Sequence, residues 1–338
     1  MTLILALETS CDDTCAAVVT GDGEMRSNVI SSQGVHDEYG GVVPEIASRH
    51  HLELANAVVD DALRRAHATL DDIALVAVTQ GPGLVGALLV GVATAKGLAA
   101  ARGLPLAAVD HLQGHVAANF LRVEPHAGGT AIMEPPFVCL IASGGHTLVA
   151  RVEDHDGFDV LGRTLDDAAG EAFDKGARLL GLPFPGGPAL ERLARDGDPQ
   201  AFAFPVARNL AGLDFSFAGV KTALLYKVRE LGADGARERA ADLAASFQHA
   251  IVEALAARCE QALAQTGLTR LAIGGGVAAN GPLRERLAAL GATVGIPPRE
   301  LCTDNAAMIA SAARFVAAQP FPQYLALDAY ASGERALA

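Results

Sequence analysis

Two imidazoles stand four residues apart in Asp110-His111-Leu112-Gln113-Gly114-His115, directly after the apolar run Leu106 to Val109. On a helix, side chains at that spacing lie on one face a turn apart, so both rings could grip a single metal ion. The zinc-protease signature H-E-x-x-H has the same histidine spacing but needs a Glu as general base directly after the first His, and here that position is Leu112. Hydrolysis by that route is therefore disfavoured. An Asp110 N-cap followed by two unrelated histidines is an equally open reading of the same residues.

Glycine supplies the second kind of chemistry. Ser143-Gly-Gly-His146 and Gly274-Gly-Gly276 expose successive backbone amides, which suit a phosphate or an adenosine. With the polar turn Glu8 to Thr14 they make three small-residue loops at strand ends, the arrangement from which nucleotide sites in duplicated folds are built. Gly81-Pro-Gly83-Leu-Val-Gly86 formally matches the dinucleotide fingerprint, but Pro82 removes an amide from the phosphate-facing turn. A glycine turn for close strand–helix packing is the preferred reading there. No Walker A sequence occurs.

In the helix start Thr164 to Lys175, Asp167 fits the capping pattern from Thr164, whereas Asp174, beside Phe173, has no capping role and is a candidate ligand for hydroxyls. Asn280 before Gly281-Pro282, and Asp304 after Thr303, both suit helix N-caps. His50-His51 reads as a solvated or packing pair on an amphipathic helix.

The elements that must position these residues follow from hydropathy periods. Leu3 to Leu7, the turn Glu8 to Thr14 and Cys15 to Val19 predict strand, turn, strand, and the plan recurs in Phe137 to Ala142, Ser143 to Thr147 and Leu148 to Val152. Two lobes on one duplicated plan follow, with the break in the Pro/Gly-rich stretch Glu124 to Thr130 through Pro135-Pro136. Domains of 1–130 and 131–338 are expected, with the last helices packing back on the first lobe. Helices at Pro44 to His67 and Gly86 to Ala101 alternate with strands at Leu75 to Val78 and Leu106 to Val109, which predicts parallel α/β layers. Further helices are expected at Asp166 to Leu180, Ala240 to Gln265, from Pro282, and at Asn305 to Ala318, with a strand at Arg270 to Ile273.

With 338 residues, 51% hydrophobic and 19% charged, the chain can bury more than one core. Its longest uncharged apolar stretch, Leu84 to Ala95, ends at Lys96, short of the roughly 18 residues that span a bilayer, which predicts a soluble protein with no membrane partner. Met1 leads at once into a strand, so no signal peptide and a cytoplasmic location are expected. The five cysteines lack C-x-x-C pairing and read as reduced thiols. A net charge of -13 argues against sequence-independent nucleic-acid binding by the whole surface. The acid excess is uneven, however: residues 161–240 hold 11 Lys/Arg against 11 Asp/Glu, so a polyanion would be met more easily by that segment.

Taken together, ten ordered motifs resemble one family. They are Leu7-Glu-Thr-Ser-Cys-Asp-Asp-Thr14, Gly40-Gly-Val-Val-Pro-Glu-Ile-Ala-Ser48, Gly81-Pro-Gly-Leu-Val-Gly86, His111-Leu-Gln-Gly-His115 and Ser143-Gly-Gly-His146, followed by Asp166-Asp-Ala-Ala-Gly-Glu-Ala-Phe-Asp-Lys175, Pro185-Gly-Gly187, Phe215-Ser-Phe217, Gly274-Gly-Gly-Val-Ala-Ala-Asn280 and Cys302-Thr-Asp-Asn305. They span nearly the whole chain and look like the bacterial TsaD family of tRNA threonylcarbamoyladenosine transferases, formerly labelled O-sialoglycoprotein endopeptidases.

The resemblance implies an α/β, two-lobed actin-like ATPase (ASKHA) fold built from a duplicated βββαβαβα-type domain. It implies transfer of a threonylcarbamoyl group from threonylcarbamoyl-AMP to the N6 amine of the adenosine 3′-adjacent to the anticodon, in tRNAs reading codons that start with adenine. By motif match, His111, His115 and Asp304 would bind one divalent metal per subunit, usually given as Fe2+, with Zn2+ the alternative. Ile141, Ala142, Ser143, Gly144, Gly145, Asp174, Gly187 and Asn280 would hold the adenylate. TsaB and TsaE type proteins are the implied partners. One departure bears on catalysis: many members carry Glu where this chain has Asp13, a methylene shorter, and Asp13 is the candidate base for the attacking amine. A metalloprotease and an actin-like fold kinase stand as the alternative activities.

Overall fold

The computed structural model describes residues 2–122, 132–207 and 210–331, so the stretch Glu124 to Thr130, where the break between lobes is expected, lies outside the described residues. Two compact units emerge. The first comprises Met1–Met133, His155–Gly157 and Asp304–Ala338, and the second Glu134–Asp154 and Phe158–Thr303.

The first unit is built on strands β1 (Leu3–Glu8), β2 (Asp13–Thr20), β3 (Met25–Ser32), β4 (Ile73–Gly81) and β5 (Leu106–Asp110), in the order β3-β2-β1-β4-β5. β1 runs antiparallel to β2, with Leu5 opposite Val18, and parallel to β4, with Leu5 opposite Val76. Leu5, Leu7, Ala16 and Val18 pack in one core with residues of helices α1 (Pro44–Arg65) and α2 (Val85–Arg102). The alternating residues Ile4, Ala6 and Ala17 are as deeply buried. Helix α9 (Ala306–Ala313) packs on β1 and β2 as well, which is why these strands read as unbroken apolar runs.

Helix α2 has the 18 residues and the apolar composition of a membrane span. Its Ala87, Leu88, Gly91, Val92, Ala95 and Ala99 are nonetheless buried, and it packs on β4 and α1 as a core helix does. Lys96, the charge at which the sequence ends the apolar stretch, reaches out to donate to the carbonyls of Leu325 (3.0 Å) and Leu327.

The second unit repeats the plan. Strands β6 (Phe137–Ala142), β7 (Thr147–Val152), β8 (Asp159–Arg163), β9 (Arg270–Gly274) and β10 (Thr293–Gly295) lie in the order β10-β9-β6-β7-β8, with β6 antiparallel to β7 and parallel to β9. Read from the third strand of each unit, the two orders and the strand directions are the same, so the duplication expected from the two hairpins is real. Helices α4 (Ala169–Leu179), α5 (Gly186–Ala194), α6 (Ala218–Glu238), α7 (Ala240–Thr266) and α8 (Gly281–Ala288) accompany this sheet, around a core that includes Phe173, Leu190, Phe215, Phe217 and Phe247.

The elements missed by periodicity are β3, β8, β10, α5 and α6. The three strands end their sheets or flank them and bury few apolar side chains, so little alternation marks them. Helix α6 is interrupted at Gly232, whose φ of 70° breaks the helical pattern. Helix α4 also starts later than expected, at Ala169, because Asp166 serves another helix: its Oδ1 accepts the N–H groups of Phe217 (2.8 Å) and Ala218 (3.2 Å) at the start of α6.

Candidate metal centre and substrate loops

Strand β5 delivers the chain into helix α3 (His111–Ala117), and Asp110 caps it by accepting the N–H groups of Leu112 (2.8 Å) and Gln113 (3.1 Å). Capping and convergence of the histidines are both true. The two rings lie edge to face with centroids 4.7 Å apart, and both are buried. At the far end of the chain the expected cap is displaced by one residue. Asn305 caps α9 by accepting the Met308 N–H at 2.9 Å, which leaves the Asp304 carboxylate to face the histidines. Helix α3 lies against α9 because residue 114 is glycine: a Cβ there would stand 2.7 Å from Ile309 Cδ1.

Asp304 Oδ1 is 3.6 Å from His111 Nε2 and 3.3 Å from His115 Nε2, and the three residues offer ligand atoms all within 4.8 Å of one another. His115 is fully buried, yet neither of its ring nitrogens has a hydrogen-bond partner. An imidazole sealed from water with both nitrogens unsatisfied costs folding energy, and a cation taken up by Nε2 offsets part of that cost. Two imidazoles and one carboxylate, with coordination positions left over, form a donor set that fits a divalent transition metal.

The charges around this group are strongly coupled. Burial alone would lower the His111 pKa from 6.5, but the Asp304 and Glu8 carboxylates beside it outweigh burial and lift it to about 9. Burial would raise the Glu8 carboxyl, but the His111 charge and hydrogen bond more than offset that and hold it low. Asp13, at the start of β2, is pushed up to about 7 by burial, with the Ser32 hydroxyl pulling down and Asp304, Asp12 and Glu8 adding repulsion. Burial likewise pushes the Cys11 and Cys15 thiols upward, and all five cysteines are free.

A metal must displace the His111 proton, which the metal-free fold retains up to about pH 9, against an ordinary value of 6.5. Its stabilisation of the metal-free protein is fully present below pH 6.5 and is lost as pH rises through about 9, and throughout that range the proton competes with the cation. Zn2+ affinity should therefore rise by up to about tenfold per pH unit from pH 6.5 to 8.5. Competition titrations at three pH values check this, and a flat profile would contradict it.

The loops read as substrate-binding lie in the second unit. Ile141 and Ala142 are buried at the end of β6, and Ile141 pairs with Gly274 of β9, so both glycine-rich turns leave the carboxyl ends of neighbouring parallel strands. Gly275 has a φ of 88°, and a Cβ there would lie 2.4 Å from the Ala142 carbonyl oxygen. The Gly170 N–H of α4 donates to the Ser143 carbonyl (3.1 Å), and Ser143 N–H to that of His146 (2.8 Å), which holds Gly144 and Gly145 as a surface turn beside that helix start.

Asp174 Oδ1 accepts the Gly186 N–H at 2.8 Å, placing the carboxylate at the start of α5 beside Gly187. Burial raises the Asp174 pKa, and the Gly186 and Gly187 amides pull against it. Asn280 caps α8 through the Leu283 N–H (3.0 Å), and its amide donates to Gln248 (2.8 Å) and to Glu191 of α5 (3.2 Å). Helix α5 thus connects Asp174, Gly187 and Asn280.

Two readings need correction. Asp167 does not cap α4; it takes the ammonium groups of Lys175 (2.6 Å) and Lys221 (2.5 Å), which lowers its pKa against the cost of burial. Asp304 is not an N-cap, as described above. Of the pair His50-His51, read as solvated or packing, His51 is the packed member: it is fully buried, with Nδ1 2.8 Å from the Thr14 hydroxyl and Nε2 3.0 Å from the Cys11 carbonyl, and so clasps the 8–14 turn. The turn at Gly81–Gly86 packs as expected, with Leu84 N–H on the Ser10 carbonyl at 2.8 Å. Glu8, buried behind His111, had no signal as a site residue beyond its place in the polar turn.

Comparison with known proteins agrees with the geometry. Residues 24–311 match the family model described as TsaD, tRNA N6-adenosine threonylcarbamoyltransferase. The chain is 51% identical over 319 residues to the tRNA N6-adenosine threonylcarbamoyltransferase of Clostridium perfringens (strain SM101 / Type A), covering 93% of this chain and 92% of that protein. It is 50% identical over 318 residues to the enzyme of the same name from Clostridium botulinum (strain 657 / Type Ba4), covering 92% of each.

Among solved structures, full-length HypF superposes with a TM-score of 0.60 at 15% identity, over 93% of this chain and 55% of that one. The activator of the 2-hydroxyisocaproyl-CoA dehydratase from Clostridium difficile does so with a TM-score of 0.51 at 14% identity, over 93% of both chains. These likenesses confirm the actin-like (ASKHA) fold. With the family model matched over residues 24–311 and half of the aligned residues identical to the curated enzymes, the chain belongs to the TsaD family of tRNA N6-adenosine threonylcarbamoyltransferases.

Proposed function

We propose that this protein transfers the threonylcarbamoyl group of threonylcarbamoyl-AMP to the N6 amine of the adenosine 3′-adjacent to the anticodon, in tRNAs reading codons that start with adenine. The observation that carries the reading is the convergence of His111, His115 and Asp304 in a chain of this family, with His115 buried and unsatisfied.

In the reaction the N6 nitrogen attacks the carbonyl carbon of the mixed anhydride, the bond from that carbon to the phosphate oxygen breaks, AMP leaves and the amine loses a proton. Asp13, with its pKa pushed up to about 7 by burial, is the base assigned to that proton. The Gly144 and Gly145 amides of the surface turn are assigned to the phosphate, since the Ser143 and Gly170 amides are taken up by backbone carbonyls. Asp174 and Asn280, joined through α5, are assigned to the hydroxyl and amide edges of the adenylate. When bound by His111, His115 and Asp304, a divalent cation would supply Lewis-acid stabilisation of negative charge at the acyl centre. Fe2+ is the proposed metal, with Zn2+ compatible with the same donors.

The net charge of -13 makes unaided tRNA binding weak, so basic surfaces on TsaB and TsaE type partners are assigned the task of recruiting it. A tRNA substrate supports a cytoplasmic location. The glycoprotease alternative has Leu112 where its general base is required, and a kinase would have no use for the three-residue metal group. Incubation with those partners, threonylcarbamoyl-AMP and unmodified tRNA should yield threonylcarbamoyladenosine, detected after nuclease digestion by mass spectrometry. Unmodified tRNA under those conditions refutes the assignment.

A further inference from the structure

Glu8 ends β1 with its carboxylate fully buried, directly behind the His-His-Asp group. A carboxylate in such a place costs several kcal/mol unless donors satisfy it. Here three do. The Ser10 backbone N–H meets Oε1 at 2.5 Å, the Thr79 hydroxyl donates to Oε2 at 2.5 Å, and His111 Nδ1 lies 3.0 Å from the same Oε2.

An ionised carboxylate can only accept, so the hydrogen between these groups sits on His111 Nδ1. That assignment leaves the lone pair of the neutral ring on Nε2, and Nε2 is the nitrogen facing Asp304. The Ser10 hydroxyl, 3.2 Å from Nδ1, adds a second contact on the same side of the ring. His115 has no counterpart to this arrangement: neither of its nitrogens makes a hydrogen bond, and the carboxylate facing its Nε2 is Asp304 itself, at 3.3 Å. The two imidazoles are therefore unequal donors: one is locked and polarised from behind, the other has no hydrogen bond behind its ring.

We propose that Glu8 is a positioning residue of the metal centre, which with Thr79 and Ser10 fixes the rotation and tautomer of His111 so that Nε2 is presented to the cation. This rests on the reading of His111, His115 and Asp304 as a metal site. Carboxylates placed behind metal-bound histidines raise the basicity of the ring and hold its orientation, and their loss typically costs about 10–100-fold in metal affinity. Thr79 comes from β4 and Ser10 from the turn after β1, so the neighbouring strand orients the ligand without touching the metal.

The test uses Co2+ alone as the probe, titrated into the metal-free full-length protein and read from its visible absorption bands. Wild type should bind one equivalent, and Glu8→Gln should bind roughly 10–100-fold more weakly. Thermal unfolding of the metal-free variant should stay cooperative, which separates positioning from loss of fold. Should Glu8→Gln fail to fold, histidine-selective 15N spectra of the Zn2+-loaded wild type decide instead. His111, assigned by comparison with His111→Asn, should carry its hydrogen on Nδ1. Wild-type affinity in Glu8→Gln, or a His111 hydrogen on Nε2, overturns the role of Glu8 while leaving the metal site standing. Absence of Co2+ binding by the wild type overturns the metal site itself.

Discussion

His115→Ala should cost the protein its metal and its activity while leaving its fold in place. Both nitrogens of this buried ring lack hydrogen-bond partners, so the substitution breaks no internal hydrogen bond and leaves no polar group newly unsatisfied. What it removes is one of two imidazole donors to the position defined with Asp304 Oδ1 at 3.3 Å. Losing a direct ligand should weaken metal binding by more than the roughly 10–100-fold seen on loss of a supporting residue. Transfer to tRNA should fall by roughly 10²–10³-fold or more, the scale set by removal of a group that stabilises charge in the transition state. Metal content of the purified variant and its single-turnover rate check both. A variant that retains full metal occupancy would show that His115 is a packing residue and that its bare nitrogens serve nothing.

Asp13→Asn should trade activity for stability. The carboxyl of Asp13 has a pKa of about 7, raised mainly by burial and further by Asp304, Asp12 and Glu8, against an ordinary value of 3.8. Between those values the unfolded chain is ionised while the folded metal-free protein still holds the proton, so the Asp13 contribution to stability declines as pH rises from about 4 to about 7. An amide of the same shape carries no such penalty. The variant should therefore be the more stable protein above pH 7 in urea titrations. Its transfer rate should drop roughly 10²–10⁴-fold, the usual contribution of a general base, and the rise of the wild-type rate through pH 7 should vanish. A variant with the wild-type rate and pH profile would remove Asp13 from the mechanism.

The legible parts of this protein are those in which neighbours in sequence act on one another. The strands Leu3–Glu8 and Phe137–Ala142, each buried at its centre, declare themselves as unbroken apolar runs, and the repeated hairpin after each predicts the shared strand order of the two sheets. Asn280 before Gly281-Pro282 caps its helix as its dipeptide context indicates. Where tertiary partners compete, local rules mislead. Asp167 has the spacing of a cap but two lysines bid for it, one of them from α6, and Asp166 caps a helix some fifty residues away instead of its own. Both losses shorten α4 at its start.

Residues four apart on a helix share a face whatever the rest of the chain does, so the sequence by itself determined that His111 and His115 would be neighbours and that Leu112 could not serve as a base. Only the tertiary structure decided that the pair is a site. That required α9 to pack on α3 across the glycine at 114, the cap to fall on Asn305 so that Asp304 turned toward the rings, and Glu8 to be buried behind His111. These contacts join residues from the beginning, middle and end of the chain. No local period encodes them, because what holds them together is burial and the satisfaction of charge.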